Sequence, residues 1–214
     1  MYQFLENDLE QASLEWLEEI GYEVHNGSEL VSDGVNRERE DFGEVVLKNR
    51  LKFALKRIND VSEEIIEEAV RKIMIPQNPQ TLVNNRAFHK MVTDGVDIAT
   101  REDNRNVTKK VWLFDFEHPQ NNEFLAVNQF TVIEGKENKR PDVILFINGL
   151  PLVIFELNSS SNEKVGTTEA YNQFQTYKQA IPGLFNFNEV LIISDGWNAK
   201  AGTISSNEER FMTW

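Results

Sequence analysis

Cysteine is absent from the 214 residues, which removes disulfide staples, thiolate zinc sites and cysteine nucleophiles at once and fits a reducing cytoplasm. Long apolar runs are missing too. None approaches the roughly 20 residues that cross a bilayer, so no contact with membrane is expected. The opening Met1-Tyr2-Gln3-Phe4-Leu5-Glu6-Asn7-Asp8 lacks the basic-then-apolar order of a signal peptide, and a soluble, cytoplasmic protein is the expectation. A Gly-x-x-x-x-Gly-Lys-Ser/Thr phosphate loop is also lacking, so no ATP site is readable. Positive charge is scarce: 22 Lys and Arg face 35 Asp and Glu, a net charge of −13. That balance argues against tight nonspecific nucleic-acid binding by this chain alone, because counterion release needs clustered cations. Lys48, Arg50, Lys52, Lys56 and Arg57 do fall within ten residues that hold no acid. They read either as a solvated helix face or as a phosphate-contacting patch.

What is present is enough for one substantial domain, since a 40% hydrophobic content over this length supports a core without staples. Leu5, Leu9, Ala12, Trp16, Leu17 and Ile20 recur at helical spacing and Gly21 stands where that helix should stop. A loop containing Asn26-Gly27-Ser28 and Ser32-Asp33-Gly34 follows. Helical patterns resume at Val45 to Leu55, at Val61 to Met74 and at Leu82 to Val92, with Asp60 and Glu63 as a capping pair and Pro76 as a stop. After Asp94-Gly95 the period changes. Strand-like runs cover Val96 to Thr100, Val111 to Phe116, Phe124 to Glu134, Val143 to Ile147, Leu152 to Leu157 and Val190 to Ser194. Thr167 to Ala180 reads as a helix closed by Pro182-Gly183. The expected class is α+β: a mainly helical portion over 1–93 and a sheet core over 94–214, within a single domain. There is no internal repeat, and the abrupt ending at Phe211-Met212-Thr213-Trp214 suggests a fragment of a longer protein.

Two acids carry the chemistry. Asp142 opens the apolar run Val143-Ile144-Leu145-Phe146, and Glu156 lies in Leu152-Val153-Ile154-Phe155-Glu156-Leu157 fourteen positions later. A hairpin through Asn148-Gly149-Leu150-Pro151 brings one carboxylate from each strand to the same edge, where hard cations take oxygen ligands. Cleaving a phosphodiester needs such a cation and usually a positive side chain near the developing charge. In the pattern Pro-Asp, a gap, then Glu-x-Lys, strand alternation puts the Glu and Lys on one face, with a backbone carbonyl between them. Here the pattern falls on Asp142, Glu156, the Leu157 carbonyl and Asn158.

These residues, with much of the chain, resemble the N-terminal nuclease region of the restriction (R) subunit of type I restriction-modification enzymes, a branch of the PD-(D/E)xK nuclease superfamily. The resemblance runs from the Glu6-x-x-x-Glu10 helix ending in Gly21-Tyr22, through Asn84-Asn85-Arg86-Ala87-Phe88-His89, Asp115-Phe116-Glu117-His118-Pro119 and Ala126-Val127-Asn128-Gln129-Phe130. It continues through Arg140-Pro141-Asp142 to Asn172-Gln173-Phe174-Gln175-Thr176-Tyr177 and Ser194-Asp195-Gly196. It implies a restriction-endonuclease-like mixed central sheet flanked by helices. It also implies Mg2+-dependent cleavage of double-stranded DNA, with assembly alongside modification and specificity subunits. ATP hydrolysis and translocation would belong to a motor outside this chain. Gln173 and Tyr177, which their i, i+4 spacing independently places on one helix face, would handle DNA and support the site. Glu10 would be an additional metal-binding acid, with Glu6 as its competitor.

Asn158 departs from that family, which has lysine there. An amide donates hydrogen bonds but carries no charge, so impaired cleavage is expected. Lys164 or Lys178 could supply the missing ammonium. The alternative is a noncatalytic DNA-binding or motor-coupling module with a nuclease fold. His89 and His118 are weaker candidates for the site, and Asp195 reads as a turn residue with Gly196.

Overall fold

The computed structural model describes residues 6–31, 34–102, 105–158 and 163–213. The chain opens with α1 (Glu6–Glu19) and β1 (Glu23–Asn26), then runs through α2 (Lys48–Ile58), α3 (Glu63–Met74) and α4 (Thr81–Asp94). The β2 (Val96–Glu102) and β3 (Arg105–Val111) hairpin follows, then β4 (Phe124–Asn128), the small pair β5 (Val132–Glu134) and β6 (Glu137–Lys139), and the hairpin of β7 (Val143–Ile147) and β8 (Leu150–Leu157). Helices α5 (Glu163–Ala180) and α6 (Pro182–Phe185) lead to β9 (Val190–Ser194), β10 (Ala199–Gly202) and β11 (Met212–Thr213). Seven strands form one sheet in the order β1-β4-β7-β8-β9-β10-β11, in which β1–β4 and β8–β9 are parallel and the other pairs antiparallel. This mixed sheet with helices on both faces is the expected α+β class.

Alternation along the central strands sorts side chains between two cores. Ile144, Phe146, Leu152 and Ile154 face Phe174 and Tyr177 of α5 and join the larger core with Leu51, Leu55 and Ile66. Val143, Leu145 and Leu157 face the other way, where Leu9, Leu14 and Leu17 of α1 cover them together with Ala126. Each such leucine, fully buried, contributes about 2 kcal/mol. Among the described residues no helix is long and apolar enough to cross a membrane.

The β7–β8 connection is a two-residue turn in which Asn148 (φ 53) and Gly149 (φ 78) both lie in the left-handed region, the arrangement favoured by an Asn-Gly hairpin. Asn148 is fully buried and donates to the Leu113 carbonyl and Asn122 Oδ1 while accepting from the Glu123 N–H. A Cβ on Gly149 would stand 2.5 Å from the Leu47 carbonyl oxygen and 2.8 Å from the Leu51 nitrogen. Gly149→Ala is therefore expected to cost about 2 kcal/mol through strain and displacement of α2. Calorimetry should read this as a fall in melting temperature of roughly 4–8 °C.

Several sequence expectations shift. Val111 to Phe116 is not a strand: β3 ends at Val111, because Asn59 accepts from the Trp112 N–H and donates to its carbonyl, drawing the chain out of the ladder. The run Phe124 to Glu134 breaks at Gln129 (φ 55) into β4 and β5. Val45 to Leu47 precede α2, with the Leu47 N–H bonded to the Gly149 carbonyl. Ser62, not Asp60, flanks α3, and no side-chain cap bond forms there. On α1 the buried stripe is Leu9, Leu14 and Leu17, whereas Trp16 and Ile20 are 63% and 74% exposed. The Asn26 region, read as loop, closes strand β1. Leu5, the 32–33 step and 159–162 lie outside the described residues.

Candidate active site

Asp142 immediately precedes β7 and Glu156 is the penultimate residue of β8. Val143 pairs with Phe155 across the antiparallel ladder, so one more step along each strand stands Asp142 beside Glu156. Their alternation matches Ile144 and Ile154, which directs both acids to the α5 face. Each is only 7% exposed. The Leu157 N–H donates to Asp142 Oδ2 at 2.7 Å, a backbone clamp that fixes the carboxylate's rotamer.

Helix α5 presents a polar ladder to this edge at helical spacing: Glu169, Gln173 and Tyr177. Gln173 Nε2 donates to the Tyr177 hydroxyl at 3.0 Å, and that hydroxyl lies 3.4 Å from Glu156 Oε1 and 3.5 Å from the Arg140 carbonyl oxygen. The last two contacts are long, and one hydroxyl proton is divided between them. Burial pushes the Tyr177 pKa up, and the negative charges of Glu156 and Asp142 push it further. Tyr177 therefore remains a neutral donor at any physiological pH.

Asn158 stands on the same face. Its backbone N–H bonds to the Ser194 carbonyl, and its side-chain amide donates to Glu169 Oε2 at 2.8 Å. Sequence reasoning missed Glu169, although its position four residues before Gln173 could have found it. Lys178 points away, donating at 2.8 Å to the Ile204 carbonyl, with its pKa lowered by burial. The side chains of Glu6 and Lys164 lie outside the described residues.

Glu10 is 8% exposed and held by two amides from the end of β4: Asn128 Nδ2 donates to Oε1 at 2.7 Å and Gln129 Nε2 to Oε2 at 2.6 Å. It belongs to α1, on the opposite face of the sheet from α5. Among the described residues no group of three His, Asp or Glu side chains converges closely enough to hold a metal, so Glu10 does not join Asp142 and Glu156 in one cluster. The two-acid pair still fits a hard divalent cation, since it offers nearly buried oxygen donors on adjacent strands.

The other candidates are engaged elsewhere. His89 Nδ1 lies 2.7 Å from Glu189 Oε2 and His118 Nδ1 lies 3.8 Å from Asp115 Oδ1. Asp195 Oδ1 accepts from the Trp197 and Asn198 N–H groups, the turn role expected of it. Four of the five cations in the run already have partners. Arg50 meets Glu23, Glu38 and Glu123, Lys52 meets Glu63 and Glu67, Lys56 meets Glu63, and Arg57 donates to the Asn121 carbonyl.

Comparison with known proteins points in one direction. A family model described as type I restriction enzyme R protein N terminus matches residues 3–210. The chain is similar to the type I restriction enzyme HindI endonuclease subunit of Haemophilus influenzae, with 38% identity over 211 residues, 98% of this chain and 20% of that protein. It is also similar to the putative type I restriction enzyme MjaIXP endonuclease subunit of Methanocaldococcus jannaschii, with 35% identity over 210 residues, 96% of this chain and 20% of that protein. The chain thus spans about a fifth of the length of these relatives. On the match across nearly its whole length, the chain belongs to the type I restriction enzyme R protein family, whose N-terminal part it corresponds to.

Proposed function

We propose that this chain is the nuclease part of a type I restriction subunit with a PD-(D/E)xK-type site, directed at double-stranded DNA and weakened by Asn158. The observation that carries this reading is the adjacent, nearly buried pair Asp142 and Glu156 facing Gln173 and Tyr177. Asp142, Glu156 and the Leu157 carbonyl would hold Mg2+, which when bound supplies polarisation of a phosphoryl oxygen and a more acidic water. The chain's own residues orient and hold. Leu157 N–H fixes Asp142, Tyr177 approaches Glu156, and Gln173 orients the Tyr177 hydroxyl. Assembly with modification and specificity subunits, reading of the DNA target and ATP-driven translocation would come from elsewhere in a longer polypeptide and its complex.

A noncatalytic DNA-binding or coupling module is favoured by one observation: the residue in the lysine position is a neutral amide bonded to Glu169. Cation binding is common to active and impaired nucleases, so it tests the site itself. Calorimetric titration of the chain with Mn2+ is expected to show saturable binding that Asp142→Asn weakens at least about tenfold. Unchanged binding in Asp142→Asn would remove the metal site, and the nuclease reading with it.

A further inference from the structure

Gln129 is a non-glycine residue at φ 55, and left-handed backbone of this kind persists only where the surroundings over-determine it. Here they do so from three sides. The Gln129 N–H bonds to the Asp142 carbonyl at 3.0 Å. A Cβ at Gly27 would stand 2.6 Å from the Gln129 carbonyl oxygen and 2.7 Å from the Phe130 Cα, so the turn after β1 fits against this bend only because position 27 lacks one. Phe130 is fully buried beneath the Arg39 guanidinium, 3.7 Å from its ring centroid.

The side chain held out by this bend reaches Glu10 of α1. A run of amides ends on the same carboxylate: the Ser28 N–H donates to Asn26 Oδ1, Asn26 Nδ2 to Asn128 Oδ1, and Asn128 Nδ2 to Glu10 Oε1, while Gln129 Nε2 donates to Glu10 Oε2. Every donor points toward the carboxylate, so the bonds polarise one another in one sense. Gln129 touches both Glu10, through its side chain, and Asp142, through its backbone.

We infer that Gln129 is a positioning residue for the acid pair, locking α1 through Glu10 to the backbone of Asp142. Glu10 then serves as the anchor of a latch between helix and sheet end rather than as a third ligand, which agrees with its place on the α1 face. This inference rests on the reading of Asp142 and Glu156 as a cation site.

Gln129→Gly separates positioning from fold, because glycine keeps the left-handed backbone and its N–H while removing the amide that reaches Glu10. The expected result is a dissociation constant for Mn2+ raised roughly tenfold, the loss typical of an outer partner of a metal ligand, with a cooperative melting transition retained. A lowered melting temperature with an unchanged Mn2+ constant would mean a merely structural role and would overturn the inference. Should Gln129→Gly fail to fold, Gln129→Asn, which tolerates the same backbone but carries an amide one methylene shorter, is titrated against the same two outcomes. Asp142→Asn, run in parallel, keeps the failures apart. If it leaves Mn2+ binding intact, the cation site itself is wrong; if it weakens binding and the Gln129 variants do not, only the latch is wrong.

Discussion

Asn158→Lys is expected to raise Mg2+-dependent nicking of duplex DNA by roughly 10²- to 10³-fold over the parent chain, the scale on which one well-placed donor to a developing anion matters. The position is prepared for it. Asn158 follows Glu156 by two residues on β8's course, so both side chains leave on the α5 face, and its backbone is fixed by the Ser194 carbonyl. Its present amide gives one hydrogen bond to Glu169 and no charge to the site. A lysine would meet that same Glu169 carboxylate. The gain should vanish again when Asp142→Asn is added, because the ammonium assists chemistry that the acid pair must first support. The measurement is conversion of supercoiled to nicked plasmid, by the chain alone and within the complete ATP-driven complex. No gain in either setting would favour the noncatalytic module. Cutting by the parent chain that disappears on replacing Lys164 or Lys178 would instead identify a relocated lysine, an outcome that the contact of Lys178 with Ile204 makes hard to reach from that residue.

What could be read from sequence was whatever local chemistry dictates. The β7–β8 hairpin follows from Asn148-Gly149 between apolar runs, and the acids fall side by side because strand alternation leaves them no other face. Gln173 and Tyr177 meet because i, i+4 residues must. The features that escaped are set by side chains distant in sequence. Asn59 ends β3 from 53 positions away through its bond to the Trp112 backbone. Glu10 carries a carboxylate plausible for a metal, and nothing local announces that amides 118 and 119 positions away will hold it. The break at Gln129 is invisible to propensity because glutamine has no preference for positive φ; tertiary contacts impose it. The cationic run was ambiguous for the same reason: its acidic partners lie in β1, in the segment before α2, in α3 and before β4, and only the fold collects them.

Arg50 shows how much that collection matters, and Arg50→Met is expected to lower stability by about 3 kcal/mol near pH 7. Arg50 Nη1 lies 2.7 Å from Glu23 and 2.5 Å from Glu123, and Nε 2.6 Å from Glu38, with the arginine and Glu38 side chains each 14% exposed. Removing the guanidinium leaves three acids facing one another around a hydrophobic stem, and the loss is kept toward the lower end for such sites because Glu23 is 49% exposed and screened. Arg50→Lys should lose less, retaining the charge but not the fork that serves three partners. The pH dependence gives the signature. In the parent chain the Arg50 hydrogen bond holds the Glu23 pKa below its ordinary 4.5, against the opposing effect of burial. A carboxylate with a lowered folded-state pKa contributes stability above its unfolded value, and that contribution is lost as pH falls through the folded value. In Arg50→Met the largest cause of that lowering is gone, and Glu23 keeps only the bond with His25. The gap in melting temperature between variant and parent should therefore be widest near pH 7 and narrow as pH falls below 4.5 through the lowered Glu23 value. A gap that stays constant across this range would show that Arg50 acts by packing alone and that the three ion pairs contribute nothing to the fold.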